Sequence, residues 1–340
     1  MPQQINRKIV LAARPHGEPK PEDFRLVEEA TPAPAEGEIL LLTLYLSLDP
    51  YMRGRMSEGP SYAPPVALGD VMVGATICRV VRSRNPRFAE GELVASYTGW
   101  QEYALSNGAG VTSIGNPEHP SHYLGALGMT GFTAYAGLLK IGEPKPGETV
   151  VVAAASGAVG SVVGQIARLQ GARVIGIAGG TEKCDFVTKT LGFDLCIDHH
   201  ATDFAQQLKA ACPKGIDVYF ENVGGKVFEA VFPLLNIGAR VPVCGMIAHY
   251  NSTEQPAGPD RLPNFLKQIL VRRLKFQGFI IGDYFSSTFE EFRVKMTDWV
   301  ASGKVKIKED LVEGLANAPQ AFIGQLRGQN FGKLIVRVSD

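Results

Sequence analysis

A short glycine-rich segment carries the clearest chemistry in this sequence. It lies between an apolar, β-branched run and a helical pattern and reads Ala155-Ser-Gly-Ala-Val-Gly160. At Gly157 the absence of a side chain lets the backbone approach a pyrophosphate, and Gly160 and Gly164 let the following helix pack closely against a strand. The free N–H groups at the start of that helix favour a phosphate anion. The pattern predicts a dinucleotide-binding turn, with packing alone as the alternative use of glycine. The predicted turn residues are Ser156, Gly157, Ala158, Val159 and Gly160.

The end of the next apolar strand indicates which dinucleotide binds. Sites that prefer NAD usually place an acid there, which accepts hydrogen bonds from the ribose 2′-hydroxyl. Here the strand Val174–Ala178 is followed by Gly179-Gly-Thr-Glu-Lys183, so no acid ends it. A lysine at a helix N-terminus suits a 2′-phosphate, and we therefore predict NADPH. Two alternatives stand: Lys183 as a solvated surface cation, and Glu182 as a carboxylate turned toward the ribose.

These segments need a parallel sheet to position them. From about Gly147, apolar β-branched runs alternate with helical-period segments, which is typical of a parallel sheet covered by helices on both faces. We predict an α/β chain with a doubly wound Rossmann domain over 131–302. Short alternating apolar runs between Pro and Gly turns predict a β-rich unit over 1–130. The segment 303–340 has too little apolar area for a core of its own and is predicted to fold back onto that unit.

Composition and charge exclude several classes of protein. Hydrophobic residues make up 45% and charged residues 20%, as in ordinary globular proteins, and 34 basic residues balance 34 acidic ones. Because a neutral chain has no long-range field to attract phosphate backbones or anionic lipids, we expect no nucleic-acid and no membrane partner. The apolar run near the N-terminus is about six residues long, shorter than that of a signal peptide. The five scattered cysteines resemble neither a disulfide framework nor a zinc knuckle, and we expect a cytoplasmic protein.

Several segments resemble one enzyme superfamily, in the same order along the chain. They are Ser47-Leu-Asp-Pro-Tyr-Met-Arg53, Ala153-Ala-Ala-Ser-Gly-Ala-Val-Gly160, Leu191-Gly-Phe-Asp194, Phe220-Glu-Asn-Val-Gly-Gly225 and Gly328-Gln-Asn-Phe-Gly-Lys333. The chain resembles the medium-chain dehydrogenases/reductases over essentially its full length. Within them it is most similar to the zinc-independent leukotriene B4 12-hydroxydehydrogenase/prostaglandin reductase branch, and there to the bacterial curcumin reductases.

The resemblance implies a GroES-like catalytic domain beside the Rossmann domain, a homodimer, and a cofactor in the cleft between the domains. Carried over by position, the glycine turn would hold pyrophosphate and Lys183 would meet the 2′-phosphate. One departure is visible, because the family often has a tyrosine where this chain has His199. The other cofactor-binding residues that the resemblance implies are Asn222, Gly245, Met246, Ile247, Phe279, Ile281 and Asn330.

The absence of zinc-ligand motifs indicates the reaction. Zinc-dependent relatives carry a Cys in the early loop and a Gly-His-Glu segment after it, where this chain has Asp49-Pro50-Tyr51 and Leu68-Gly-Asp-Val-Met72. Zinc needs thiolate or imidazole ligands that converge, so we predict no metal, and we interpret His199-His200 as a loop pair. Without a Lewis acid, deprotonating an unactivated alcohol is difficult. Hydride addition to an electron-poor alkene is easier, and we predict a reductase of α,β-unsaturated ketones, including curcumin-like and alkenal-type substrates.

The expected reaction transfers hydride from NADPH to the β-carbon of the enone, and the resulting enolate is protonated at the α-carbon. The protein must bring the reacting carbons together and donate a hydrogen bond to the developing oxyanion. A tyrosine phenol is a suitable donor. The candidates are Tyr250, just past the fifth predicted strand of the parallel sheet, and Tyr51 and Tyr62 in loops of the N-terminal unit, the last two also as walls for an extended substrate.

Three other functions remain open at this point. One is a zinc-free quinone reductase of the same superfamily, and another is an NADPH-binding protein without turnover. A metal-dependent alcohol dehydrogenase is the third. We also predict that the strand Leu274–Ile281 joins two copies of the sheet into a homodimer.

Overall fold

The computed structural model describes residues 5–254 and 258–339. Contacts between Cα atoms group the chain into two units. The first unit comprises Met1–Gly125 with Glu309–Asp340, and the second comprises Ala126–Lys308.

The strands are β1 (Ile5–Leu11), β2 (Phe24–Ala30), β3 (Ile39–Ser47), β4 (Thr76–Ser83), β5 (Leu93–Ser96), β6 (Tyr103–Ser106), β7 (Thr112–Gly115), β8 (Thr149–Ala153), β9 (Arg173–Ala178), β10 (Leu195–Asp198), β11 (Ile216–Phe220), β12 (Leu235–Val243), β13 (Lys275–Gly278), β14 (Glu309–Glu313) and β15 (Lys333–Arg337). The helices are α1 (Met52–Arg55), α2 (Met129–Ala136), α3 (Gly160–Leu169), α4 (Thr181–Asp185), α5 (Phe204–Ala211), α6 (Gly225–Val231), α7 (Leu262–Arg272), α8 (Phe285–Ala301) and α9 (Ala318–Leu326).

The second unit is built on a parallel sheet of six strands in the order β10-β9-β8-β11-β12-β13. This is the order of the doubly wound dinucleotide-binding fold. The direction of winding reverses between β8 and β11, which are paired in register from Val150 opposite Val218 to Val152 opposite Phe220. Ligands of such sheets bind beside the carboxyl ends of the strands at that reversal. The predicted glycine turn follows β8 directly.

The apolar run of β8 is uninterrupted because both faces of the strand are buried. Val150 and Val152 lie in one hydrophobic cluster with Val163 and Ile166 of α3. Val151 and Ala153 lie in a second cluster, which includes residues of α5 and α6. Successive side chains of a strand point to opposite faces, so a strand covered on both sides is apolar along most of its length.

The first unit is organised around a mostly antiparallel sheet in which a strand of the C-terminal segment pairs with a strand of the N-terminal segment. Its order is β14-β15-β3-β4-β5-β7, with β6 paired to β3. Strand β15 pairs antiparallel with β3, with Ile335 opposite Ser47. The C-terminal segment therefore completes a sheet begun by the N-terminal segment, and Phe322 of α9 packs edge-on to Trp100, with ring centroids 5.8 Å apart.

The second unit is a few residues wider at each end than the predicted range 131–302. The side chain of Gln165 explains the later end, because it accepts a hydrogen bond from Lys306 N at 2.8 Å and donates one to Lys306 O at 3.1 Å. The predicted helix Lys183–Leu191 is found as α4 followed by a π-helical turn, Phe186–Thr190. In the described part of the chain, no helix is long and apolar enough to cross a membrane.

Candidate active site

The turn after β8 is tight and leaves little room for side chains. Gly157 N donates to Ala154 O at 2.9 Å, and Ala154 itself adopts a φ of 52°. A Cβ atom on Gly160 would lie 2.2 Å from Ala154 O, and one on Gly164 would lie 1.8 Å from the ring of Phe193. Both glycines thus let α3 pack closely, as predicted. A Cβ atom on Gly157 would lie 3.2 Å from Ala154 O, so the turn has little room for a side chain there.

The loop after β11 is tied to the end of β8. Asn222 Nδ2 donates to Ala153 O at 2.8 Å, which fixes the amide at the reversal of the sheet. Below it, the buried carboxylate of Glu221 accepts hydrogen bonds from Val223 N at 2.6 Å and Gly224 N at 2.9 Å. Burial raises the pKa of Glu221, although these amide hydrogen bonds lower it in part. Glu221 therefore shapes the Asn222 loop from beneath.

The loop after β12 carries Gly245, Met246 and Ile247 and is joined to the same place. Gly245 N donates to Glu221 O at 3.1 Å, and Ile247 N donates to Asn222 O at 3.2 Å. Tyr250 folds back over this loop, where its hydroxyl accepts a hydrogen bond from Met246 N at 3.3 Å. A Cβ atom on Gly245 would lie 2.9 Å from that hydroxyl. Within the second unit, these hydrogen bonds join the predicted cofactor residues of both loops to the predicted catalytic Tyr250.

Lys183 lies beside the carboxyl ends of β9 and β10. Asp198 Oδ1 accepts hydrogen bonds from Gly180 N and His200 N, both at 2.9 Å, and so joins the two strand ends. Burial raises the pKa of Asp198, but these hydrogen bonds and the two histidines lower it more, so the pKa lies below its ordinary value. Burial lowers the pKa of the His199 imidazole, and the charges of His200 and Lys183 lower it further.

Phe279 and Ile281 follow the edge strand β13. Phe279 is half-buried and packs edge-on to Phe220, with ring centroids 6.4 Å apart. A Cβ atom on Gly137 would lie 2.6 Å from the Phe279 ring, so the ring packs closely against the π-helical turn Gly137–Gly142 that follows α2. Ile281 starts the 3₁₀ turn Ile281–Tyr284. These residues provide apolar surface near the β13 edge of the sheet, whereas Lys183 lies near the opposite edge, formed by β10 and β9.

In the first unit, the motif of Asp49 and Tyr51 is joined to the motif of Asn330 by a buried ion pair. Lys333 Nζ lies 2.8 Å from Asp49 Oδ1 and donates to Leu48 O at 2.9 Å. The Ser47 hydroxyl donates to the other Asp49 oxygen. Asn330 lies three residues before Lys333, and its Nδ2 donates a hydrogen bond to Gly332 O at 3.0 Å.

Two of the predicted catalytic tyrosines are neighbours in the first unit. Tyr51 is half-buried, and burial raises its pKa, followed by the charge of Asp49 and the proximity of Tyr97 and Tyr62. Tyr62 is 60% exposed. The pKa of Tyr97 is also raised, first by desolvation of its hydroxyl and then by Asp49, although the side chain as a whole is 65% exposed. The tyrosines form a small phenol cluster around the Asp49 loop.

Sequence reasoning missed four residues of these sites. Tyr97 joins the phenol cluster, Glu221 supports the Asn222 loop, and Asp198 joins two strand ends. The fourth is His249, whose Nε2 accepts a hydrogen bond from Gly225 N at 3.1 Å. Glu221 and Asp198 could have been detected in the sequence, because an acid at the end of a buried strand is well placed to accept hydrogen bonds from backbone amides of the next turn. No local signal indicates His249 or Tyr97.

Comparison with protein families and relatives agrees with this architecture. Residues 7–114 match the model described as the N-terminal domain of oxidoreductase, and residues 158–302 match the one described as zinc-binding dehydrogenase. Across residues 5–254 and 258–339, no three His, Cys, Asp or Glu side chains are grouped so that they could hold a metal ion.

Curated relatives and a solved structure cover nearly the whole chain. NADPH-dependent curcumin reductase of Escherichia coli K12 is 58% identical over 99% of this chain and 98% of that protein. The 2-alkenal reductase (NADP(+)-dependent) of Nicotiana tabacum is 39% identical over 98% of each chain, and prostaglandin reductase 1 of Oryctolagus cuniculus is 39% identical over 94% of this chain and 89% of that protein. The crystal structure of CurA in complex with NADPH from Vibrio vulnificus is 58% identical, with a TM-score of 0.96 over 98% of this chain and 99% of that one. The chain therefore belongs to the medium-chain dehydrogenase/reductase superfamily, in the branch that contains prostaglandin reductase 1 and bacterial NADPH-dependent curcumin reductase.

Proposed function

We propose that this protein reduces the carbon–carbon double bond of α,β-unsaturated ketones with NADPH, on curcumin-like and alkenal-type substrates. The observation that carries the proposal is 58% identity over 99% of the chain to a curated NADPH-dependent curcumin reductase. The tobacco relative adds a 2-alkenal reductase at 39% identity, so the shared chemistry is reduction of a conjugated alkene.

The residues of the second unit fit a nicotinamide dinucleotide. The turn of Ser156 to Gly160 has no room for a side chain at Gly160, and the N-terminus of α3, which follows it, would hold the pyrophosphate. Gly179 and Gly180 replace the acid that NAD-preferring sites use, and Lys183 supplies a cation for the 2′-phosphate. Cofactor binding by the remaining predicted residues, including Asn330, is part of this proposal.

NADPH, when bound, supplies the hydride that adds to the β-carbon of the enone. The task of the protein is then to hold the substrate carbonyl, donate a hydrogen bond to the developing enolate oxygen and allow a proton to reach the α-carbon. Burial raises the pKa of Tyr51, so its phenol stays protonated and remains a donor at any ordinary pH. Tyr250, Tyr51 and Tyr62 are the residues that we propose for hydrogen bonding to the substrate and for proton delivery.

A substrate panel tests this function. The near-ultraviolet absorbance of NADPH should decay on addition of an enone and stay constant with the corresponding saturated ketone. Gly157→Val should abolish the decay because its side chain occupies the pyrophosphate position, whereas Ala89→Val, at an exposed turn, should leave the rate unchanged. Constant absorbance with every enone tested, from a purified protein that binds NADPH, would contradict the proposal.

We propose further that the reaction needs no zinc. The support comes from the early loop, where zinc-dependent relatives carry a cysteine and this chain has Asp49-Pro50-Tyr51. Both Asp49 oxygens are already engaged, one by Lys333 and the other by Ser47. Dialysis against a strong chelator should leave the turnover of an enone unchanged, and metal-dependent recovery of activity would refute this part.

The second candidate function is a quinone reductase. A Pseudomonas syringae quinone oxidoreductase shares the fold at a TM-score of 0.74, but at 22% identity the likeness extends to the fold alone. Equal turnover of a quinone and an enone would favour this alternative. A third candidate, an NADPH-binding protein without turnover, would bind the cofactor and reduce neither.

A homodimer is part of the proposal. Strand β13 is the edge of the six-stranded sheet. The neighbouring helix α7 exposes Leu262, Leu266 and Leu270, by 58%, 55% and 78%, at a spacing that places them on one helix face. Exposed apolar rows of this kind usually mark an interface. Light scattering should give twice the mass of the chain; a monomer would contradict the dimer.

The five cysteines are free thiols in the structure. We propose a reducing, cytoplasmic location on that basis, since disulfides are rare there.

A further inference from the structure

Two adjacent histidines lie over the glycine that ends β9. A Cβ atom built on Gly179 would lie 2.8 Å from His200 Nε2 and 3.0 Å from His199 Nε2. Their rings are 4.1 Å apart between centroids and inclined at 37°. Both imidazoles therefore present a nitrogen to the place where the strand β9 opens into the Gly179-Gly180 turn.

The backbone holds this arrangement in place. His199 N donates to Ala178 O at 3.0 Å, and Asp198 Oδ1 accepts both Gly180 N and His200 N at 2.9 Å. The turn after β9 and the turn after β10 are thus one hydrogen-bonded assembly. Asp198 is a positioning residue for it, because its carboxylate oxygen is directed at two backbone amides.

The surroundings of the two histidines contain as many acids as potential cations, and Lys183 is the lysine among them. Helix α4 contributes Glu182, Lys183, Cys184 and Asp185, and β10 contributes Cys196 and Asp198. The pKa of His199 is lowered, first by burial and then by the charges of His200 and Lys183, while Asp198 acts in the opposite sense. An anion placed among these imidazoles and Lys183 would reverse that effect and favour the protonated form.

We propose that His199 and His200 are specificity-determining residues that donate hydrogen bonds to the 2′-phosphate of NADPH, and that the preference for the phosphorylated cofactor weakens as pH rises. This inference rests on the NADPH dependence proposed above. Lys183 supplies a charge that does not change near neutral pH, since an ordinary lysine titrates near 10.4. The histidines supply the part of the affinity that does change.

The direction of the pH dependence follows from proton linkage. The His199 imidazole has a lowered pKa in the free protein, and a phosphate dianion raises it, so that binding takes up a proton. Affinity for NADPH should fall by up to about tenfold per pH unit for each proton taken up. The phosphate itself becomes more negative as pH rises, with its own pKa near 6, so its titration cannot cause a loss of affinity.

Calorimetric titration of the full chain with NADPH, NADH and adenosine 2′,5′-bisphosphate tests the inference in phosphate-free buffers. Between about pH 6.5 and 8.5, the preference for NADPH over NADH should fall by at least about tenfold. The double variant His199→Gln/His200→Gln should bind NADPH about tenfold more weakly at the lower pH and should lose the pH dependence, with unchanged affinity for NADH. Titration in two buffers of different ionisation enthalpy should show proton uptake with NADPH and none with NADH.

Two further variants separate this role from others. Lys183→Ala should weaken NADPH binding at both low and high pH and should keep a decline in affinity as pH rises. A second histidine pair, His119 and His122, with rings 4.8 Å apart in the first unit, provides the matched control, and its double Gln variant should bind as the parent does. If the affinity of the His199→Gln/His200→Gln variant for NADPH falls with pH as steeply as that of the parent, the inference is overturned while the proposed function stands. Absence of binding of both NADPH and NADH to the parent overturns the proposed function itself.

Discussion

Removal of Lys333 should destabilise the first unit far more than removal of an exposed cation. Lys333 and Asp49 are 2% and 4% exposed, and their charged atoms are 2.8 Å apart. Lys333→Met keeps most of the apolar stem but leaves the Asp49 carboxylate buried without its cation. Breaking a buried pair in this way costs about 3–5 kcal/mol of the free energy of unfolding. That is a large part of the roughly 5–15 kcal/mol of an ordinary domain.

The two tryptophans allow each unit to be followed separately. Trp100 is fully buried in the first unit and stacks on Phe24 at 5.6 Å, while Trp299 belongs to the second unit. In a Trp299→Phe background, the fluorescence of Trp100 reports unfolding of the first unit in urea. Lys333→Met should move that transition to lower urea by an amount equivalent to about 3–5 kcal/mol.

Two controls make the result specific. Arg84→Met removes an ion pair of the same 2.8 Å length to Glu36, but those side chains are 56% and 84% exposed, so the loss should stay below about 1 kcal/mol. The double variant Asp49→Asn/Lys333→Met should recover at least about 1 kcal/mol of the single variant's loss, because no unpaired charge remains. A Lys333→Met transition within about 1 kcal/mol of the parent would refute the reasoning.

Three other predictions concern the second unit. Gly160→Ala places a Cβ atom 2.2 Å from the backbone oxygen of Ala154, and should lower the free energy of unfolding by about 1–3 kcal/mol and the affinity for NADPH at least tenfold. A Cβ atom on Gly54 meets nothing within 4 Å, so Gly54→Ala should change stability by less than about 1 kcal/mol in the same denaturant titration. Equal behaviour of the two variants would contradict the packing argument. Tyr250→Phe should lower kcat for an enone by about 10²-fold with an unchanged Kd for NADPH, and a parental rate would remove Tyr250 from the mechanism. Burial raises the pKa of Glu221, so the folded protein binds a proton at this carboxyl more tightly than the unfolded chain does. The free energy of unfolding of the parent should therefore fall relative to that of Glu221→Gln as pH rises from about 4 to 7, and a constant difference would show that the carboxyl is not desolvated.

The sequence by itself determined the features that depend on residues close to one another along the chain. The glycine turn after β8, the absence of an acid after β9 and the alternation of apolar strands with helices are all local patterns. Each follows from backbone sterics or from the burial of one strand or one helix face. For this reason the doubly wound unit and its NADPH preference could be predicted before any contact was known. The domain ranges and site residues remain predictions for experiment.

Only the tertiary structure decided which distant side chains meet. Lys333 pairs with Asp49 because β15 lies beside β3, although 284 residues separate them along the chain. His249 reaches Gly225 for a comparable reason, since the loops after β11 and β12 lie side by side. His199 and His200 read as a loop pair in the sequence, yet β10 pairs with β9 and brings both rings over Gly179. Contacts between strand ends depend on strand order and register, and no local pattern of residues encodes these.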